Sequence, residues 1–172
     1  LAFALAFEFN LSFEIWCVKS TTRARDGFYI YDSVARLRDA QLASIGHFKD
    51  DGDLKRISDP ASYLKWGPLG KAFLFKSPTI LLIDDIDKAS SDFPNDLLFE
   101  LEEKYFFVEE TGSEVTAKHA PIVIITSNDE SALPEPFLRR CVFHYLKFPT
   151  KEHLTSILKK RFPSSNEKLL KA

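Results

Sequence analysis

Methionine is absent from all 172 residues, and the chain opens on Leu1. A complete reading frame starts with Met, so the sequence is expected to be an internal piece of a longer protein. Cysteine is scarce: Cys17 and Cys141 lie far apart and form no C-x-x-C pair. That excludes a disulfide framework and favours a reducing, cytoplasmic setting. No apolar run reaches the roughly 20 residues that span a bilayer. The apolar opening from Leu1 to Phe7 has no basic flank and is cut by Glu8, so it is not a secretory signal. His47, His119, His144 and His153 lack the spacing of metal ligands. Neither charge sign dominates: the net charge of −2 gives no electrostatic reason to expect nucleic acid or a membrane surface as partner. The acidic stretch Asp50 to Asp53 lacks the later ligands of a calcium loop and reads as a solvated turn. Nowhere does the pattern G-x-x-x-x-G-K-[ST] occur.

What is present suits one soluble α/β domain, since 45% hydrophobic and 28% charged residues are enough for a core of this size. A helix is expected over the first ten residues, a buried strand at Glu14–Val18 and a loop from Thr21 to Gly27. Tyr31–Ser44 reads as an amphipathic helix with Val34, Leu37 and Leu42 inward. A turn running into a short helix follows at Gly67–Phe75. Thr79–Ile83 is a continuous apolar run of the kind buried on both faces of a parallel sheet. Pro94–Lys104 predicts one helix with Leu97, Leu98 and Leu101 on one face. Tyr105–His119 predicts a hairpin turning at Thr111–Ser113. Pro121–Thr126 and Val142–Phe148 read as strands, Glu135–Arg140 as a short helix, and Thr150 opens a last helix to about Arg161. Strands alternating with helices imply a parallel sheet with its site beyond the strands' carboxyl ends.

Two strand ends carry chemistry. Ile80-Leu81-Leu82-Ile83 delivers Asp84 and Asp85, the pattern of a Walker B element. A carboxylate held at the end of a buried strand suits the hydration shell of a nucleotide-bound Mg²⁺, and a second one beside it suits polarising a water. About forty residues on, Ile122–Ile125 leads through Thr126 and Ser127 to Asn128, whose amide suits a terminal phosphate and an attacking water. A short helix then ends in Arg139 and Arg140, permanently charged forks for phosphate oxygens. Gly67-Pro68-Leu69-Gly70-Lys71 imitates a phosphate loop, but it is too short between its glycines and has Ala72 where a hydroxyl is required.

Together the stretches Gly67–Gly70, Leu82–Ala89, Phe93–Leu98, Thr126–Glu130 and Phe137–Cys141 resemble the MoxR branch of the AAA+ ATPases, over nearly the whole chain to about Arg161. The resemblance implies a P-loop NTPase core at 1–148, lacking its first strand, and the start of a helical lid at 149–172. It implies ATP and Mg²⁺ as cofactors, Asp84 as the Walker B magnesium acid, Asp85 as the catalytic carboxylate and Asn128 as sensor 1. Arg140, with Arg139 second, becomes the arginine finger. The 105–119 hairpin becomes the insert before sensor 1, and Leu1–Ala6 the helix that follows the missing P-loop. An ATP-driven, chaperone-like remodelling ring is implied, a homo-oligomer of hexameric form partnered by a von Willebrand factor A domain protein. The family carries Glu where this chain has Asp85, a carboxylate set back on the order of 1 Å, and misplacement of that size costs about a hundredfold in rate. A degenerate, non-hydrolysing AAA+ scaffold therefore stands as an alternative. A DNA-acting relative is the other, disfavoured by Glu109, Glu110 and Glu114 on the hairpin. The absent first strand is expected to leave the sheet gapped, with strand edges exposed.

Overall fold

In the computed structural model, which describes residues 1–48, 50–128 and 130–162, the chain opens with α1 (Ala2–Glu8) and runs into β1 (Ser12–Cys17). Next come α2 (Ala24–Phe28), β2 (Tyr29–Tyr31), α3 (Ser33–Ser44), α4 (Asp51–Ser58), β3 (Leu64–Trp66) and α5 (Pro68–Leu74). Then follow β4 (Thr79–Asp84), α6 (Phe93–Asp96), α7 (Leu98–Glu103), β5 (Tyr105–Val108), β6 (Ser113–Thr116), β7 (Ile122–Ile125), α8 (Glu135–Leu138) and α9 (Lys151–Arg161). Leu1–Arg140 forms one unit and Cys141–Ala172 another. No described helix is long and apolar enough to cross a membrane.

The first unit is built on a parallel sheet in the order β1-β4-β7. The register pairs Phe13 with Ile80 and Ile80 with Ile122, so alternate residues of the three strands share a face. Ala2 and Ala6 of α1 pack with Phe13, Ile80, Leu82 and Ile124 on one face. Alanine at these positions lets the helix lie close, while Phe3 and Phe7 point to solvent. On the other face Leu81 and Ile83 are fully buried, and Trp16 meets Phe93 of α6 edge-on at 5.3 Å. Covering both faces of β4 is what its unbroken apolar run requires.

Two short antiparallel pairs stand outside this sheet. One is β2 with β3, which the sequence reading missed; the other is the expected hairpin of β5 with β6. Between β2 and β3 lie α3 and α4, joined through Asp39. That side chain is buried and accepts hydrogen bonds from Arg38 (2.9 Å), Arg56 (3.3 Å) and the Tyr63 hydroxyl (3.2 Å).

Several expectations are corrected. In α3, Val34 and Leu37 are exposed and Asp39 is the buried position, because an ion-pair network anchors this helix where an apolar stripe was expected. The acidic Asp50–Asp53 turn is the start of α4, where Asp51 and Asp53 face the positive end of the helix dipole. The loop expected at Thr21–Gly27 turns helical from Ala24, where α2 begins. The helix expected at Pro94–Lys104 breaks at Leu97, which is fully buried at the joint. The three-stranded sheet is contiguous, with no gap between its members.

In the second unit Thr150 caps α9 by accepting from the His153 amide (3.3 Å). Val142–Phe148, expected as a strand, carries no ladder. Val142, Phe143, Tyr145, Leu146 and Phe148 are all exposed. Their composition favours an extended chain, but a strand also needs a neighbour to take its hydrogen bonds.

Candidate functional site

The carboxyl ends of β1, β4 and β7 lie along one edge because the three strands are parallel. The register that sets Ile83 against Ile125 brings Asp84 beside Thr126. The Thr126 hydroxyl donates to Asp84 Oδ1 (2.7 Å) and accepts from the Asp85 amide (2.9 Å). Its backbone is tied as firmly: the Thr126 N–H donates to the Ile83 carbonyl (3.0 Å), and its carbonyl accepts from the Ile86 N–H (3.0 Å). Asp84 is thereby oriented while remaining half-buried and open to solvent on one side.

Asp85 takes the left-handed conformation at φ 57° and ψ 51°. Asp is among the few residues other than glycine that adopt it readily. This turn sends its carboxylate towards β7, where Asn128 Nδ2 donates to Oδ1 (2.8 Å) and Lys88 Nζ meets Oδ2 (2.5 Å). The Asp85 carboxylate holds the Lys88 ammonium above its ordinary value. The structure thus brings Asp84, Asp85 and Asn128 into one hydrogen-bonded group.

Asp87 is the residue at this edge whose place sequence reasoning passed over. It is buried, and its Oδ2 accepts from the backbone N–H of Asn128 (3.1 Å) and of Glu130 (2.8 Å). Burial alone would raise this carboxyl, but those amide donors and the Ser127 hydroxyl outweigh it and hold it below the usual carboxylate range. Ser131 Oγ closes the loop by donating to the Asp87 carbonyl (2.7 Å). Asp87 therefore fixes the loop that presents Asn128. A third acid so soon after Asp84 was the available signal, and only its burial separates it from a solvated one.

Arg139 and Arg140 stand at the end of α8 and are engaged elsewhere. Arg139 pairs with Glu135 (2.7 Å), while Arg140 pairs with Glu102 and donates to the Pro136 carbonyl (2.9 Å). The structure records no hydrogen bond or ion pair joining either to the acidic group.

The glycines of Gly67–Lys71 have a packing role. A Cβ at Gly70 would lie 2.0 Å from the Phe28 carbonyl oxygen, and one at Gly67 would lie 2.3 Å from that of Asp26. Glycine here lets α5 press against the backbone of α2, and Leu69 between them is fully buried.

The donor set at the strand ends is small: two carboxylates, one hydroxyl and one amide. No group of three His, Cys, Asp or Glu among the described residues could cage a metal ion. Magnesium on a nucleotide needs only one or two carboxylates and keeps its waters, so these residues fit it.

Comparison with known proteins bears on the fold and the family. Among curated proteins none matches the sequence. A solved protein of Cytophaga hutchinsonii, named as a candidate ATPase, superposes with a TM-score of 0.58 at 14% identity. The match covers 96% of this chain and 43% of that protein, so the chain spans less than half its length. At that identity the likeness establishes the fold: an α/β core with a parallel sheet flanked by helices, as in AAA+ P-loop NTPases. The sequence profile of the AAA domain, dynein-related subfamily, matches residues 1–162, and the chain belongs to that family of AAA+ ATPases.

Proposed function

We propose that the protein this chain belongs to hydrolyses ATP with Mg²⁺ and works as a MoxR-type, ring-forming remodeller of other proteins. The observation that supports it most is the group at the carboxyl edge of the sheet in which Thr126 links Asp84 to the Asp85 amide and Asn128 donates to the Asp85 carboxylate. Asp84, oriented by Thr126, would hold the magnesium through its waters. Bound Mg-ATP would supply a cleavable phosphoanhydride with its charge partly neutralised. Asp85 is the base for the attacking water, and Asn128 positions that water against the base. Lys88 must release Asp85 for this to happen. Arg140, or Arg139 after it, would serve a neighbouring subunit's site once freed from its acidic partner. Residues 1–148 act as the core and 149–172 begin the lid. The hexamer and the von Willebrand factor A domain partner rest on the family resemblance, and a cytoplasmic setting on the two distant cysteines.

The second reading, a non-hydrolysing scaffold, draws on Asp85, which stands where the family carries Glu and is shared between Lys88 and Asn128. The test is Mg-dependent phosphate release by the full gene product, together with its oligomeric state. Asp84→Asn, Asp85→Asn and Asn128→Ala are each expected to lower kcat by about a hundredfold or more. Rings without turnover would overturn the ATPase reading and leave the scaffold.

A further inference from the structure

A cleft of about 580 Å³ opens in the first unit between α2, α6 with α7, and β5, away from the carboxylates of β4. Its volume lies in the range of small-ligand sites. Phe28, Phe93 and Phe106 give it an aromatic lining, with Tyr29 beside them. Phe106 stacks on Tyr29 at 6.2 Å and tilts against Phe28 at 5.0 Å, so the rings form a packed platform.

The charges around this platform are unequal. Arg23 and Arg25 line the cleft together with Asp96, Glu100 and Glu109. Arg25 is already neutralised, by Glu110 at 2.5 Å and Glu109 at 3.6 Å. Arg23 alone is left to balance Asp96 and Glu100. The wall also displays how it receives a guanidinium. Arg25 lies 5.0 Å from the centroid of the Tyr29 ring and donates to the Tyr29 hydroxyl (2.8 Å). Glu100, on α7, has no such partner: its Oε2 is shut off from solvent and accepts no hydrogen bond. A buried acceptor left unmet is costly, more so when it carries charge. A cation held in the cleft would offset that charge through space without touching the buried oxygen.

We propose that this cleft binds a basic side chain, arginine above all, presented by a polypeptide partner. Arginine fits better than lysine because its planar guanidinium stacks on aromatic faces while its N–H fork meets a carboxylate. The excess of carboxylates works against a nucleic acid or an anionic lipid as occupant. This site does not depend on the nucleotide reading, since none of its residues belongs to the strand-end group.

The experiment is a titration of the whole chain with acetyl-Gly-Arg-Gly-amide, read by amide chemical shifts and tryptophan fluorescence. Trp16 and Trp66 report on the cleft through Phe93 at 5.3 Å and Phe106 at 6.2 Å. Saturable shifts are expected in α2, α7 and β5. The citrulline peptide, neutral but nearly isosteric, should bind at least about tenfold more weakly, and Glu100→Gln should weaken the arginine peptide by a similar factor. Asp96→Asn, an exposed position, carries the test if Glu100→Gln disturbs folding. Equal binding of citrulline, shifts scattered without saturation, or full affinity in a folded variant would each overturn the proposal.

Discussion

Replacing Asp87 with alanine removes the carboxylate that accepts from the backbone amides of Asn128 and Glu130 after β7. Both amides lose a charged acceptor, and the exposed Ser127 hydroxyl exchanges its carboxylate for water. Hydrogen bonds to a charged group contribute about 1.5–3 kcal/mol each, a gross loss of about 3–6 kcal/mol. Two effects offset this. The freed amides lie in a loop that water reaches, and Asp87 Oδ1 is a buried oxygen with no partner, so its removal recovers desolvation energy. The net expectation is about 2–3 kcal/mol, a factor of roughly 30 or more in the folded-to-unfolded ratio. Asp87→Asn keeps an acceptor at the Oδ2 position and loses only the charge, so about 1 kcal/mol is expected. Urea unfolding followed by Trp16 and Trp66 fluorescence measures both variants, and amide exchange at Asn128 and Glu130 should accelerate with them. Because the folded carboxyl titrates below its usual value, its contribution is complete above about pH 4 and is lost as pH falls through the lower folded value. The alanine variant should therefore show a flatter acid limb. Unchanged stability together with unchanged exchange at both amides would refute the reasoning.

The remaining predictions are structural. Gly70→Ala should destabilise the first unit by about 2–4 kcal/mol, because the added carbon meets a backbone carbonyl that cannot swing away. Gly46→Ala, at φ +75° with open space around it, should cost only about 1 kcal/mol of backbone strain; thermal melts of the pair separate packing from conformation. Asp39→Asn should loosen α3 and α4 by weakening the Arg38, Arg56 and Tyr63 contacts, read as faster amide exchange there. Hydrogen bonding from Arg38, aided by Tyr63 and Arg56, outweighs desolvation and holds the Asp39 carboxyl below its ordinary value. In the unmodified protein this protection should therefore fade as pH falls through that lowered value.

By itself the sequence determined the parts of this protein whose information is local. The apolar run ending in Asp84 and Asp85 read as a strand covered on both faces, and the run before Asn128 repeated the pattern. Hairpin residues 105–116 declared themselves by alternation around a turn, and the Thr150 cap by its position before α9. Tertiary structure decided what depends on partners distant in the chain. Asp87 and Asp53 look alike in sequence; one is buried under two backbone amides and the other stands in the open first turn of α4, because only the first meets the loop after β7. Val34 and Leu37 promised a buried face that Asp39 and its arginines supply instead. Val142–Phe148 has strand composition and no strand, since pairing is a property of the neighbour as much as of the segment. The sharing of Asp85 between Asn128 and Lys88 depends on a left-handed turn at one residue and on the β4–β7 register, which no spacing along the chain encodes.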